Sequence, residues 1–222
     1  MKKVFSVLLV ILALFLAILA FRSIMRPEKF KTTYETRKTE IRNKLTAIRA
    51  AQAVYRNEYK VYASDIDSLA DFVENGNINI IKNIGNIPEG MNEADAFKAG
   101  LLRKETIVVP ARVRIIETDP SVEEYLKDFQ YIPHTNGKKF SIQTGSIASK
   151  TYEIPLYRID VPIDDILANM DESITPKNTN AFTRFFNYVF YSGLADEREY
   201  RSQYGPMWMG SLTEASTSGS WE

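Results

Sequence analysis

The chain has 222 residues, with 28 Lys and Arg set against 28 Asp and Glu, a pI near 6.7 and 45% hydrophobic residues. So even a balance argues against a nucleic-acid binder, which concentrates a basic excess on one face. There is no cysteine, which excludes disulfides, thiolate zinc sites and cysteine nucleophiles, and only one histidine, His134.

The first element is apolar. After "MKK" comes "VFSVLLVILALFLAILAF", Val4 to Phe21, in which Ser6 is the only polar side chain. Crossing a bilayer takes roughly 20 such residues. Ile24 and Met25 extend the run past Arg22, whose stem can snorkel. Residues 1–26 are expected to be an uncleaved signal-anchor that meets membrane lipid through residues 4–25. The rival is a cleaved signal peptide cut at Ala20. The run is longer than the usual apolar core of a signal peptide, and Ile18 stands where a small residue belongs. Lys2 and Lys3 favour a cytoplasmic N-terminus. Arg22, Arg26, Lys29, Lys31, Arg37, Lys38, Arg42 and Lys44 follow the span, and a strict count of basic residues favours the opposite orientation.

Residues 27–60 are expected to be an amphipathic helix. Pro27 opens it or kinks a continuous one, and from Glu28 to about Tyr59 no glycine or proline breaks it. Tyr34, Ile41, Leu45, Ile48, Ala51 and Tyr55 form one apolar stripe, with Arg42, Lys44, Arg49 and Arg56 opposite. A coiled-coil stalk explains the stripe almost as well. In "SDIDSLADFVENG", Ser64 or Asp65 caps a short helix faced by Ile66, Leu69, Phe72 and Val73 and closed by Gly76.

A hydrophobic N-terminal helix running into "IRAAQAVYRNEYKVYASDIDSLADFV" resembles the N-terminal half of type IV pilins and type II secretion pseudopilins. "FQYIPHTNGKKFSIQTGSI", Phe129 to Ile147, is similar to a strand pair of their sheet. "NIGNIPEGMNEADAFKAGLLRKETI" and the terminal "GSLTEASTSGSWE" are similar to bacterial single-pass membrane proteins that share this start. The resemblance implies a long helix packed along an antiparallel sheet, a periplasmic C-terminal domain and an inner-membrane location with the N-terminus cytoplasmic. It does not extend to processing: the prepilin peptidase site is a short basic leader, then Gly or Ala, then an aromatic, with Glu at the fifth mature position, whereas here no Gly precedes residue 76 and no Glu lies in the span.

Residues 61–175 read as an α+β domain. "INIIKNIGNIP" is a strand and turn, and "MNEADAFKAGLL" a short helix with Ala94, Phe97 and Leu101 on one side. "ETIVVPARVRIIET" alternates through Ile107, Val109, Ala111, Val113 and Ile115 as a half-buried strand does, with Pro110 marking an edge or a break. "TNGKK" is a hairpin turn between Phe129, Tyr131 and Pro133 on one limb and Phe140 and Ile142 on the other. "TYEIPLYRIDVP" adds a strand interrupted at Pro155, and "IDDILANM" a short helix. The sum is an antiparallel sheet of four or five strands. Residues 176–222 hold an aromatic helix, "AFTRFFNYVFYSG", and a polar tail.

No catalytic constellation is evident. His134 has no second histidine or cysteine beside it for zinc, and no G-x-S-x-G elbow accompanies it for a hydrolase triad. Asp164 with Asp165, or Asp171 with Glu172, lacks the alternating spacing of a calcium loop. No cofactor, metal or nucleic acid is expected. The expected function is a non-catalytic, membrane-anchored subunit of an envelope pilus-like or secretion-like assembly. Its partners would be lipid, and other proteins or further copies of itself, met through Tyr34, Ile41, Phe182, Phe185, Phe186 and Phe190. Two other readings stand beside it: a monomeric stalk carrying a periplasmic binding domain, and an envelope hydrolase built on His134.

Overall fold

A computed structural model describes residues 2–148, 152–171 and 204–222, with backbone only at 2–3, 19–20 and 22–27 of the first helix. One helix, α1, spans Lys2–Tyr59, 58 residues and about 87 Å of rise, and its backbone stays helical through Pro27. It stops at Lys60, which takes a left-handed conformation (φ 65°) while its N–H bonds the Arg56 carbonyl. The predicted stripe is the buried one: Tyr34, Ile41, Leu45, Ile48 and Ala51 are all inside, and Tyr55 packs partly buried against the same cluster. Phe30 joins them at the lower end.

A tight connection leads from α1 into the next helix. Gln52, fully buried, gives its amide N–H to the Ala63 carbonyl and accepts the Ala63 N–H, each at 2.9 Å. Helix α2, Ile66–Asn75, is capped by Asp65, whose carboxylate accepts the N–H groups of Asp67 and Ser68. Ile66, Leu69, Phe72 and Val73 are buried as the pattern requires. α2 ends at Gly76, which turns extended, and only glycine fits there because a Cβ would lie 2.3 Å from the Phe72 carbonyl oxygen.

Among the described residues five strands form two antiparallel sheets, not the single sheet expected, and the class is α+β. The first sheet is a ribbon of β1 (Asn77–Gly85) and β2 (Leu102–Pro110), paired from Asn77 with Pro110 to Gly85 with Leu102. Helix α3, Glu93–Lys98, lies in its connection; it buries Ala96, while Ala94 and Leu101 are exposed, so the face expected for this helix is turned. The second sheet has the order β3 (Ile142–Ala148), β4 (Glu153–Val161), β5 (Met207–Ser211). Pro155 does not interrupt β4. It lies beyond the reach of β5, whose pairing stops at Tyr157, so its missing N–H leaves no rung of that ladder empty. Gly210 is required where it is: its φ is 79°, and a Cβ would meet the Tyr157 carbonyl oxygen at 2.3 Å.

Two strand expectations are corrected. The alternation from Ile107 to Ile115 splits at Pro110, and α4 (Ala111–Thr118) follows at once. Pro110 has φ −56° and occupies the cap of α4, where a missing N–H costs nothing. Ala111 and Ile115 satisfy a helical step of four as well as an alternation, and both are buried, whereas Val113 is 44% exposed. The hairpin expected over Phe129 to Ile147 closes with a single bridge, Tyr131 with Lys139. Its return limb does enter a sheet, but the partner of Ile142–Ala148 is Glu153–Val161.

A 3-10 segment, η1 (Pro120–Leu126), was not legible beforehand. It lies along α1 more extensively than do α4, α2 and the short α5, Ile163–Ile166. From the sheet, Tyr157, Ile159 and Val161 of β4 and Met207 and Met209 of β5 enter the same core as Ile41, Leu45 and Ile48. Leu45→Ala removes a fully buried side chain from that core and is expected to cost about 2–5 kcal/mol in denaturant unfolding. Asp65→Ala, which strips only the α2 cap, is expected to cost about 1 kcal/mol in the same measurement.

Candidate functional site

Among the described residues, exposed large apolar side chains concentrate on the N-terminal part of α1. Its large side chains from Val4 to Ile18, and Phe21, are 47–72% exposed and point in every direction around the helix. A helix apolar on all sides is at home in lipid or a protein interior, not in water. Among the described residues no helix is long and apolar enough to cross a membrane.

Immediately above, α1 turns its stripe inward. Tyr34 is 2% exposed, stacks on Phe30 with centroids 6.2 Å apart, and meets the Tyr204 ring edge-on at 4.8 Å. Its hydroxyl donates to the Gly205 carbonyl at 2.8 Å. This clasp fastens the chain entering β5 to the lower part of α1. Burial, helped by Glu35 and Tyr204, pushes the Tyr34 phenol up to about 12. Tyr34 and Ile41, both expected at an interface with partners, are therefore used within the chain's own core. Phe182, Phe185, Phe186 and Phe190 lie outside the described residues.

A polar seam runs beside this clasp. Arg37 shares the buried stripe, which the apolar periodicity alone did not reveal. Its guanidinium donates to the carbonyls of Ile166 (3.0 Å), Ala168 (2.6 Å) and Asn169 (3.4 Å), the groups left over at the end of α5. Burial lowers the Arg37 pKa, and Glu40 pulls it back up. One turn on, Glu40 holds the ring of His134, Nε2 to Oε2 2.6 Å. His134 has a left-handed backbone (φ 61°), and its carbonyl accepts the Asn169 side-chain N–H at 2.8 Å. Lys138 grips both oxygens of Asp165 at 2.7 Å, and Lys44 donates to the Asp128 carbonyl at 2.6 Å.

Chemically the seam orients and fastens. His134 has Glu40 as an orienting carboxylate, but no serine or threonine hydroxyl among the described residues bonds it, so the triad logic is not assembled there. No group of three His, Cys, Asp or Glu among the described residues is placed to hold a metal. Asp165, considered for calcium, has both oxygens on Lys138, and Glu172 lies outside the described residues.

The β1–β2 ribbon is a third surface. Ile81 (65% exposed) and Val108 (61% exposed) stand on one of its faces. A groove of about 830 Å³ lies between that face and α3, lined by Ile81, Asn83, Phe97 and Lys104 among others. The sequence pattern indicated the strands but not this exposure.

Arg37→Lys keeps the charge but loses the planar fork. It is expected to lose about 1.5–3 kcal/mol of stability, nearly as much as Arg37→Met, in parallel urea unfolding curves. In a spectrophotometric titration, Tyr34 is expected to ionise with a midpoint about 12, and Tyr34→Phe removes that step. An unfolded tyrosine loses its proton near pH 10, so the stability Tyr34 confers is intact below that pH and is lost as pH rises through about 12.

No protein-family profile matches the chain, and neither the curated proteins nor the solved structures compared with it give a match. No family is assigned on these comparisons.

Proposed function

We propose that this chain is a non-catalytic, membrane-anchored subunit of an envelope assembly, pilin- or pseudopilin-like in organisation. The observation that carries this reading is the continuity of α1: one helix contains both the apolar run and the buried axis of the α+β core. In sequence that run continues to Phe21, and its fourteen Val, Leu, Ile and Phe side chains favour insertion by roughly 4–8 kcal/mol on a transfer scale. Along its buried stripe the helix shares a core with residues of an antiparallel sheet, which supports a pilin-like reading. On this reading the N-terminus is cytoplasmic, the folded domain is periplasmic, and lipid is the first partner. Self-association or other envelope proteins supply the rest.

A stalk that holds a monomeric binding domain off the bilayer shares the same continuous helix. Ile81 and Val108, exposed on one face of the ribbon among polar neighbours, would gain from a protein partner, which favours an assembly subunit over a lone stalk.

The full chain is expected to stay with membranes through an alkaline carbonate wash, while a chain starting at Glu28 is released. Crosslinking in native membranes is expected to give adducts larger than a monomer, with one set of partners by mass spectrometry; a monomer alone under all conditions overturns the assembly reading. Orientation is read separately. The chain has no cysteine, so Glu89→Cys on the exposed connection after β1 gives a single label site. A membrane-impermeant maleimide added to spheroplasts is expected to modify it.

A further inference from the structure

Among the described residues four strand edges could accept another strand, and three of them carry charges, a proline or the chain's own tail. β1 carries Lys82, and β2 carries Arg103, Lys104, Glu105 and a terminal Pro110, the charges and proline that discourage strand addition. The outer edge of β5 is closed by the chain's own tail: Ser220 N–H bonds the Trp208 carbonyl, Gly210 N–H bonds the Ser218 carbonyl, and Met209 bridges Gly219. β3 is different. From Phe140 to Ser149 there is no charge and no proline. Its outer edge has no strand partner among the described residues. Gln143, Thr144, Gly145 and Ser146 are exposed along it. Every second residue of β3 turns its N–H and C=O away from β4.

We propose that β3 accepts an extended, uncharged strand of another polypeptide, adding it to the sheet by main-chain hydrogen bonds. The geometry decides against antiparallel pairing with the same strand of a second copy as the occupant. Tyr34 holds Gly205 just before β5, whereas Tyr62, beyond the top of α1, packs its ring at a tilt on Tyr157, which pairs with Ser211 at the end of β5. β5 thus runs along α1, and so does β3, two antiparallel steps away. Antiparallel pairing of β3 with its own copy turns about an axis normal to the sheet and sends the two α1 rods in opposite directions. Two chains rooted in one membrane cannot do that. This exclusion rests on the membrane-anchored reading; the bareness of the edge does not. Strand addition draws affinity from backbone bonds and specificity from alternate side chains. The small residues from Thr144 to Ser146 leave the approach to the backbone open.

The test uses the full chain in native membranes, with a photo-crosslinking amino acid at Thr144 and, as a control, at Glu89. Hydrogen exchange of the same membranes is compared with the purified protein in detergent. Expected are a Thr144 adduct whose attachment site maps to an uncharged stretch of another protein, and at least tenfold slower exchange in residues 142–148 in membranes, with 77–85 unchanged. Gln143→Lys with Ser146→Lys, two exposed positions, is expected to abolish both signals while the thermal unfolding midpoint stays within a few degrees. Exchange in β3 equal in the two preparations overturns the proposal, as does an adduct confined to one chain or to a second copy. Both signals appearing in protein released by the carbonate wash would sink the anchor and leave the strand-addition site standing.

Discussion

The burial of one stripe of α1, from Phe30 to Val54, is the contact on which the rest of the structure depends. Each other element reaches the core by touching that stripe or something seated on it. η1 and α4 lie against it directly, and α2 folds back over its upper end through the Tyr55, Tyr59 and Phe72 rings. The sheet supplies Tyr157, Ile159, Val161, Met207 and Met209 to the same cluster. Ala47, Ala51 and Gln52, all buried near its upper end, keep that part narrow, so that α2 and the loop at Ala63 can close on it. Without the stripe, β1 and β2 would be an isolated two-stranded ribbon, a structure of marginal stability in water.

Polar groups then fix what apolar burial leaves free. A hydrophobic stripe sets which face of α1 is inside but not how far a neighbour may slide along it. Arg37 bonds three carbonyls at the end of α5, Gln52 makes paired bonds to Ala63, and Tyr34 bonds Gly205. These are directional contacts at separate heights on one rod. Buried as they are, each would leave an unsatisfied group if the register shifted, at roughly 1–3 kcal/mol per group. The surface pairs, such as Arg49 with Glu222 and Lys139 with Asp67, are exposed and contribute much less.

How much of this was legible follows from which signals are local. The apolar run, the stripe, the Asp65 cap and the face of α2 depend on spacing within one helix, and the sequence displays them directly. The strands at Asn77–Gly85 and Glu153–Val161 were likewise visible as runs of β-branched residues. Ala111 to Ile115 was not, because a period of two and a step of four coincide there, and only packing against α1 and α2 decides between them. Arg37 was counted as one more basic residue after the span. Its role depends on the carbonyls of Ile166 to Asn169, some 130 residues away, and no pattern near it announces them. The same holds for Glu40 and His134, which are 94 positions apart. Among the expected interaction residues, Tyr34 and Ile41 carried the correct signal of an apolar stripe. Periodicity identifies a face that will be covered without saying by what.

That ambiguity bears on the membrane as well. A rod whose lower turns are apolar all round and whose upper turns are apolar on one side has two different surroundings by construction. The change falls between Phe21 and Phe30, where the helix passes from exposed apolar side chains to buried ones. Because the backbone stays helical across it, the angle of the folded domain about the rod is fixed by the helix itself, about 100° per residue, and not by a linker. On the membrane-anchored reading, lipid or neighbouring spans that set the rotation of the lower turns would also set which way β3 and the β1–β2 ribbon face. Inserting one residue between Phe21 and Phe30 would turn those surfaces by more than a quarter of a revolution while leaving both the apolar run and the core intact. A flexible stalk would tolerate that change, and an assembly subunit would not.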